Sequence, residues 1–244
     1  MKCYKHKLGV TLVEMLIVVA VIAILATMVA GIATRISNRS KEQLTKNTFS
    51  LLNAALGQFR DFGYNYNPGT LDPAVKDFYR GLDFPLDCNG FDKAGLEQAL
   101  ASALGLPPAP ATVNIMPPVA LRDPNYSGSE MLYFFLSRVP ASQQTLEKID
   151  KSLITNLSVD KQPMEIHITF TGPGGLKIFP LARIIDAWGT TLHYDYYPDF
   201  ADYTGPGGLA GYFLRVGRSK RNFPEITSAG PDRIFGTGDD ISNR

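Results

Sequence analysis

From Met15 to Thr34 the chain runs for twenty residues without a charged side chain, with Glu14 at the edge of the run and Lys2, Lys5 and Lys7 ahead of it. Twenty apolar residues at about 1.5 Å each cover a bilayer core of roughly 30 Å. The pattern therefore predicts a membrane helix over 10–34. Beyond it, Ile36, Leu44, Leu51, Leu52, Ala55, Leu56, Phe59 and Phe62 recur mostly three, four or seven apart, with Arg35, Arg39, Lys41, Glu42, Lys46 and Arg60 between them. That is the spacing of a helix with one apolar face. No proline interrupts Val10 to Gly63, so one continuous helix of roughly 80 Å is predicted, with 35–63 as the spine of a globular head. Gly31 is either a helix breaker or a small residue in a membrane helix.

The pattern then changes. Over 64–160 prolines crowd the chain, among them Pro68, Pro73, Pro85, Pro107, Pro108, Pro110, Pro117, Pro118 and Pro124. Such density predicts a long connection without continuous helix or sheet. Within it, Phe91 to Leu104 reads as a short helix. Ser127 and Glu130 form an S-x-x-E capping box for a second one, and Ser142 to Asn156 continues in helical style. Over 161–244 the period becomes two. Met164, Ile166, Ile168 and Phe170 share one face, with Glu165, His167 and Thr169 on the other. Leu192, Tyr194 and Tyr196 alternate with His193 and Asp195, and Gly211 to Val216 suits a third strand. Short connections favour an antiparallel sheet. The hexapeptide TGPGGL, at Thr171 to Leu176 and again at Thr204 to Leu209, reads as tight turns.

The lysines before the apolar run keep the N-terminus cytoplasmic and send the head outward. Glu14 is out of place in an ordinary anchor, because a carboxylate at a helix centre in lipid costs about 2.5 to 3.5 kcal/mol. A Glu near the membrane edge can snorkel to headgroups. A cleaved secretory signal, with a site such as Gly31-Ile32-Ala33, would have a core of roughly 7 to 15 residues and no acid. The series Gly9, Val10, Thr11, Leu12, Val13, Glu14 after a basic leader resembles the class III signal of type IV prepilins and type II secretion pseudopilins. The resemblance implies that a prepilin peptidase cuts after Gly9 and methylates the new amine of Val10, where the family most often has Phe. It also implies that Glu14 pairs with the N-terminal amine of a neighbouring subunit during filament assembly.

Charge and cysteine content narrow the field. The chain has 24 Lys plus Arg against 23 Asp plus Glu; losing the three leader lysines leaves 21 against 23, a net charge of −2. No global basic field invites nucleic acid. Of the two cysteines, Cys3 lies in the leader, so Cys88 has no intramolecular partner and the head relies on packing or on a metal. The segment DAWG at Asp186 to Gly189 and the terminal SAGPDRIFGTGDDI resemble the tail of type II secretion major pseudopilins. In that family a D-P-W-G box precedes a calcium-binding loop. The resemblance implies Ca2+ held by Asp232, Asp239 and Asp240, with carbonyls of the glycine-rich turn adding oxygens. Ala187 stands where the family has Pro, and Arg233 where it has Gly.

Other constellations have plainer accounts. Gly205, Gly207 and Ala210 fit G-x-G-x-x-A but precede a predicted strand, so they make no nucleotide site. His193 and Asp195 read as the solvent face of a strand, since no nucleophile elbow or zinc helix accompanies them. Arg215, Arg218, Lys220 and Arg221 read as a solvated basic loop.

The expected fold is α+β, a long N-terminal transmembrane helix extending into a globular head with an antiparallel β-sheet, the pilin fold that the resemblance implies. It implies further a structural subunit, not an enzyme, of a type II secretion pseudopilus or type IV pilus-like filament. Its partners would be other pilin or pseudopilin subunits, prepilin peptidase and the inner-membrane assembly platform. The place implied is the bacterial inner membrane, single-pass, N-terminus cytoplasmic and head periplasmic. The residues also allow a second reading, a membrane-anchored periplasmic binding module or enzyme.

Overall fold

The computed structural model describes residues 12–64, 84–85, 93–103, 113–116, 123–169, 175–196 and 223–243. The chain divides into two compact units, Met1–Gln43 and Leu44–Arg244. Helix α1, Leu12–Tyr64, has 53 residues and belongs to both. Its start and end lie close to those the periodicity predicts, and it passes Gly31 without a break.

In the first unit the described apolar side chains from Leu12 to Met28 have no cover. Leu12, Val13, Met15, Leu16, Ile17 and their successors to Met28 are 49–81% exposed. Among the described residues, no helix is long and apolar enough to cross a membrane. The stretch with described side chains, Leu12–Met28, is 17 residues. The predicted span of 10–34 takes in residues on both sides of that stretch, whose side chains lie outside the described set.

The second unit has its core around the later turns of α1. Phe49, Leu52, Ala55, Leu56 and Phe59 are buried there, with Leu44, Leu51 and Phe62 packed at the edge. Each buried Leu or Phe stabilises by about 1.5–3 kcal/mol relative to exposure. Ile36 is the exception in the predicted stripe: it lies in the first unit and is exposed. Helix α2, Lys93–Ala103, falls within the predicted Phe91 to Leu104 and buries Leu96, Ala99 and Leu100.

Strand β1, Val113–Met116, corrects the expectation that the Pro-rich stretch holds no sheet. Six residues between Pro110 and Pro117 are free of proline. Four of them alternate, with Val113 and Ile115 buried and Asn114 and Met116 exposed. An edge strand has unpaired N–H groups, and α2 answers one of them: Glu97 Oε1 accepts from Ile115 N at 2.6 Å. Lys93 donates to Asn114 at 3.1 Å and pairs with Glu97 at 3.3 Å. The proline-rich segment keeps a strand because a helix borders its edge.

The capping box does not form. A 3-10 turn, Pro124–Tyr126, leads into α3, Ser127–Leu136, and Asp123 caps that turn by accepting from Asn125 N at 2.9 Å. Ser127 donates instead to Pro124 O at 2.8 Å, and Glu130 is fully buried. Helix α4 is short, Pro140–Leu146, and the predicted continuation to Asn156 gives way to a 3-10 turn, Lys151–Leu153, and strand β2, Ile154–Thr155. Asp150 makes that break, since its carboxylate accepts from both Ser152 N and Ser152 Oγ.

The remaining strands are β3 (Glu165–Thr169), β4 (Leu176–Pro180), β5 (Arg183–Ile184), β6 (His193–Asp195), β7 (Glu225–Ser228) and β8 (Ile241–Ser242). Among the described residues the strands make three small sheets, β1-β3-β4, β2-β5 and β6-β7-β8. Every pairing is antiparallel, as the short connections predict. Met164, Ile166 and Ile168 are fully buried, so the period-two reading of that segment holds; Phe170 lies outside the described residues. The strand predicted at Gly211 to Val216 and the second TGPGGL also lie outside them.

Candidate functional site

Of the residues singled out near the N-terminus, Gly9 and Val10 lie outside the described residues. Glu14 sits in the first turn of α1, exposed among exposed apolar neighbours. An acid in a helix's first turn is favoured by the amide dipoles there.

The tail is built on Asp186, which is 1% exposed. Its Oδ1 accepts from Trp188 N at 2.9 Å and Thr190 N at 2.8 Å, and its Oδ2 accepts from Ser228 Oγ at 2.7 Å. Ser228 Oγ in turn accepts from Gly230 N at 3.1 Å. One carboxylate thus closes the DAWG turn, where Gly189 takes φ +91°, and ties it to the SAGPD loop 42 residues later. Trp188 is buried beside it. Ala187 uses the N–H that a proline would lack, donating to Thr45 Oγ1 of α1 at 3.3 Å.

In the terminal loop the three candidate ligands each hold backbone. Asp232 Oδ1 accepts from Ile234 N, Asp239 Oδ2 from Asp232 N and Asp240 Oδ2 from Gly236 N, at 2.8, 3.1 and 2.7 Å. The Thr237 hydroxyl beside Asp239, and then backbone N–H donation, hold its carboxyl below the usual carboxylate range. With a folded-state pKa below the unfolded one, the contribution is present above about pH 4 and fades as the pH falls further. Arg233 adopts φ +62°, which shows what a glycine at that position would serve.

The loop's closest approach is at Gly230, φ +66°, where an added Cβ would stand 2.3 Å from Asp239 O. Gly236, φ +88°, has nothing within 4 Å of the same point. Gly236→Ala is therefore expected to cost about 1 kcal/mol of backbone strain, and Gly230→Ala roughly 2–3 kcal/mol more because backbone must move. Urea denaturation of both variants checks this; equal losses would mean that the loop yields freely.

Calcium is the ion that the resemblance of the tail implies for this loop. The donor chemistry fits, since the loop is rich in oxygen and Asp240 Oδ1 is buried without a hydrogen-bond partner. Among the described residues, no group of three or more His, Cys, Asp or Glu side chains is gathered at one point, so calcium would have to draw Asp232, Asp239 and Asp240 together.

Sequence reasoning missed a cavity of about 720 Å³ beside this loop. His193 and Asp195, expected to face solvent, stand on its floor, 3.5 Å apart and 29% and 13% exposed. Arg183 reaches it from β5. Its Nε donates to Thr191 Oγ1 at 3.0 Å, its Nη1 to Leu157 O at 2.7 Å, and its guanidinium lies 3.7 Å from the centre of the Tyr126 ring. Burial lowers the pKa of this guanidinium. Nothing in the local pattern marks Arg183, whose partners come from distant parts of the chain; an Asp-Pro pair at Asp123 was the one local signal. Cys88 and the basic cluster Arg215 to Arg221 lie outside the described residues.

A helix that opens on exposed apolar residues and one acid, ahead of a mixed unit of helices and antiparallel sheet, is consistent with a type IV pilin-like protein. Comparison with known families supports that class: residues 4–30 match the family model described as the prokaryotic N-terminal methylation motif. The chain therefore carries a prepilin-type N-terminal methylation motif, the kind of signal on which prepilin peptidase acts. Comparisons with curated proteins and with solved structures returned no match.

Proposed function

We propose that the chain is a structural subunit of a type II secretion pseudopilus or a related pilus-like filament. Prepilin peptidase cuts after Gly9 and methylates Val10. Residues 10–34 then hold the subunit in the inner membrane, with the N-terminus cytoplasmic and the head periplasmic. The assembly platform extracts it, and Glu14 meets the amine of a neighbouring subunit in the filament. The motif match over residues 4–30 carries this reading, and the uncovered apolar side chains of Leu12 to Met28 support it, because such a surface needs lipid or other helices. Identical subunits joined by contacts that do not close on themselves form a filament. The DAWG and SAGPD segments favour the secretion type. In cells producing the chain with its assembly machinery, the processed form should appear in the sheared filament fraction. A processed chain confined to the membrane fraction would sink the filament reading.

The same proposal includes calcium in the terminal loop, held by Asp232, Asp239 and Asp240 with turn carbonyls, where it would clamp a segment with little apolar material. Asp240 Oδ1 supports this. Calorimetric titration of the full chain with calcium chloride should show saturable binding that Asp232→Ala and Asp240→Ala remove. No heat from the unsubstituted chain would leave the carboxylates as turn caps only.

The cavity favours one second reading, a single-anchor periplasmic binding module, in which substituting Glu14 would leave function intact.

A further inference from the structure

Where the uncharged run of α1 ends, at Thr34, a collar of cations begins. Arg35, Arg39 and Lys41 follow it closely, and no acid occurs between Glu14 and Glu42 to balance them. Four residues on a helix are about 40° apart around its axis, so Arg35 and Arg39 share one face of α1. Both are exposed, as are Ser37, Asn38 and Ser40 around them. Among the described residues neither guanidinium is taken up in an ion pair. Ile36 between them is 63% exposed, so the apolar surface runs into the collar without a gap. Twenty uncharged residues at about 1.5 Å each match a hydrocarbon core of roughly 30 Å, which places Arg35 at headgroup level and Arg39 about 6 Å beyond it. Helical side chains lean toward the N-terminal end of their helix, which here is the membrane side. An anionic lipid surface attracts each basic side chain held this close, and a zwitterionic surface does so far less. The cut after Gly9 takes away Lys2, Lys5 and Lys7, so this collar is the basic flank that the mature helix keeps.

We propose that Arg35 and Arg39 dock on anionic phospholipid headgroups of the outward-facing leaflet and so set the depth at which the helix rests in the membrane. This rests on the reading of residues 10–34 as the membrane anchor. The full chain in mild detergent is mixed with equal amounts of phosphatidylglycerol and phosphatidylcholine of matched acyl chains, and the lipid it retains is counted by native mass spectrometry. A preference for phosphatidylglycerol is expected. It should fall about tenfold when Arg35→Gln and Arg39→Gln are combined, and by a similar factor when salt rises to about 0.5 M. Arg35→Lys with Arg39→Lys should keep most of it, because the surface reads charge. Lys148→Gln, on an exposed lysine of the second unit, should change nothing. Carbonate washing of membranes reads the anchor separately, and the double glutamine variant should stay in the pellet, since the apolar run alone holds it there. An unsubstituted chain washed free would overturn the anchor and this inference together. A chain that stays in the pellet yet retains both lipids equally, or selects phosphatidylglycerol just as well without the two arginines, would overturn this inference alone. Unchanged lipid selection with lower recovery of the double variant in sheared filaments would likewise overturn it and assign the collar to contact between subunits.

Discussion

A chain carrying Glu14→Gln is expected to be cut after Gly9 as efficiently as the unsubstituted chain and to fall out of the filament fraction by on the order of 100-fold. Glu14 sits in the first turn of an exposed, apolar helical stretch, so in lipid its carboxylate is a cost, with the about 2.5–3.5 kcal/mol of a helix centre as its upper bound. A partner amine turns that cost into an attraction that grows as water is excluded. Removing one member of a buried ion pair costs about 3–5 kcal/mol, because the other charge is left uncompensated; that energy is about two to three and a half decades in an assembly constant. Here the stranded charge would be the new amine of Val10 on the neighbouring subunit. Blotting of sheared and membrane fractions, with the cleavage state read by mass, measures the two steps separately. Normal recovery of Glu14→Gln in filaments would show that register is set elsewhere, and normal function of a chain that makes no filament would favour the anchored binding module.

The second large effect is on stability. Asp186→Ala should destabilise the head by about 3–5 kcal/mol, because one buried carboxylate satisfies Trp188 N, Thr190 N and the Ser228 hydroxyl. Without it two backbone donors in the DAWG turn lose their acceptor, and the link to Ser228 and Gly230 goes with them. Asp186→Asn retains one carbonyl oxygen for the two backbone donors, and the Ser228 hydroxyl can rotate to accept, so a loss of about 1 kcal/mol is expected. Urea denaturation of the full chain, followed by Trp188 fluorescence, gives both values. Equal losses would mean that the charge, and not the hydrogen-bond pattern, holds the tail.

How much of this could be read in advance follows from the range of the forces. Helix α1 and strand β3 were legible because their partners recur at fixed short spacings: Leu52, Leu56 and Phe59 along one face, Met164, Ile166 and Ile168 along another. Strand β1 was not, since its persistence among prolines depends on Glu97, 18 residues earlier, taking the Ile115 N–H. The capping box failed for a similar reason: Ser127 found Pro124 O first, and Glu130 was buried with the core of the second unit. Strands of two residues, such as β5 and β8, have no period to detect. The DAWG and SAGPD segments could be named as a pair, but the bond joining them, Asp186 to Ser228, is a tertiary fact. The cavity was hidden most completely, because its lining is drawn from four segments between Asp123 and Asp240 that share no local pattern. His193 and Asp195 alternate as an outward face should, and only the arrival of the Asp123 turn and the terminal loop makes that face a floor.

The intact mass of the mature chain recovered from membranes tests the central claim most directly. A chain beginning at Val10, with or without one added methyl group, is the predicted result. A mature chain that keeps Met1, or one cut beyond Ala33 with the apolar helix lost, would contradict the account.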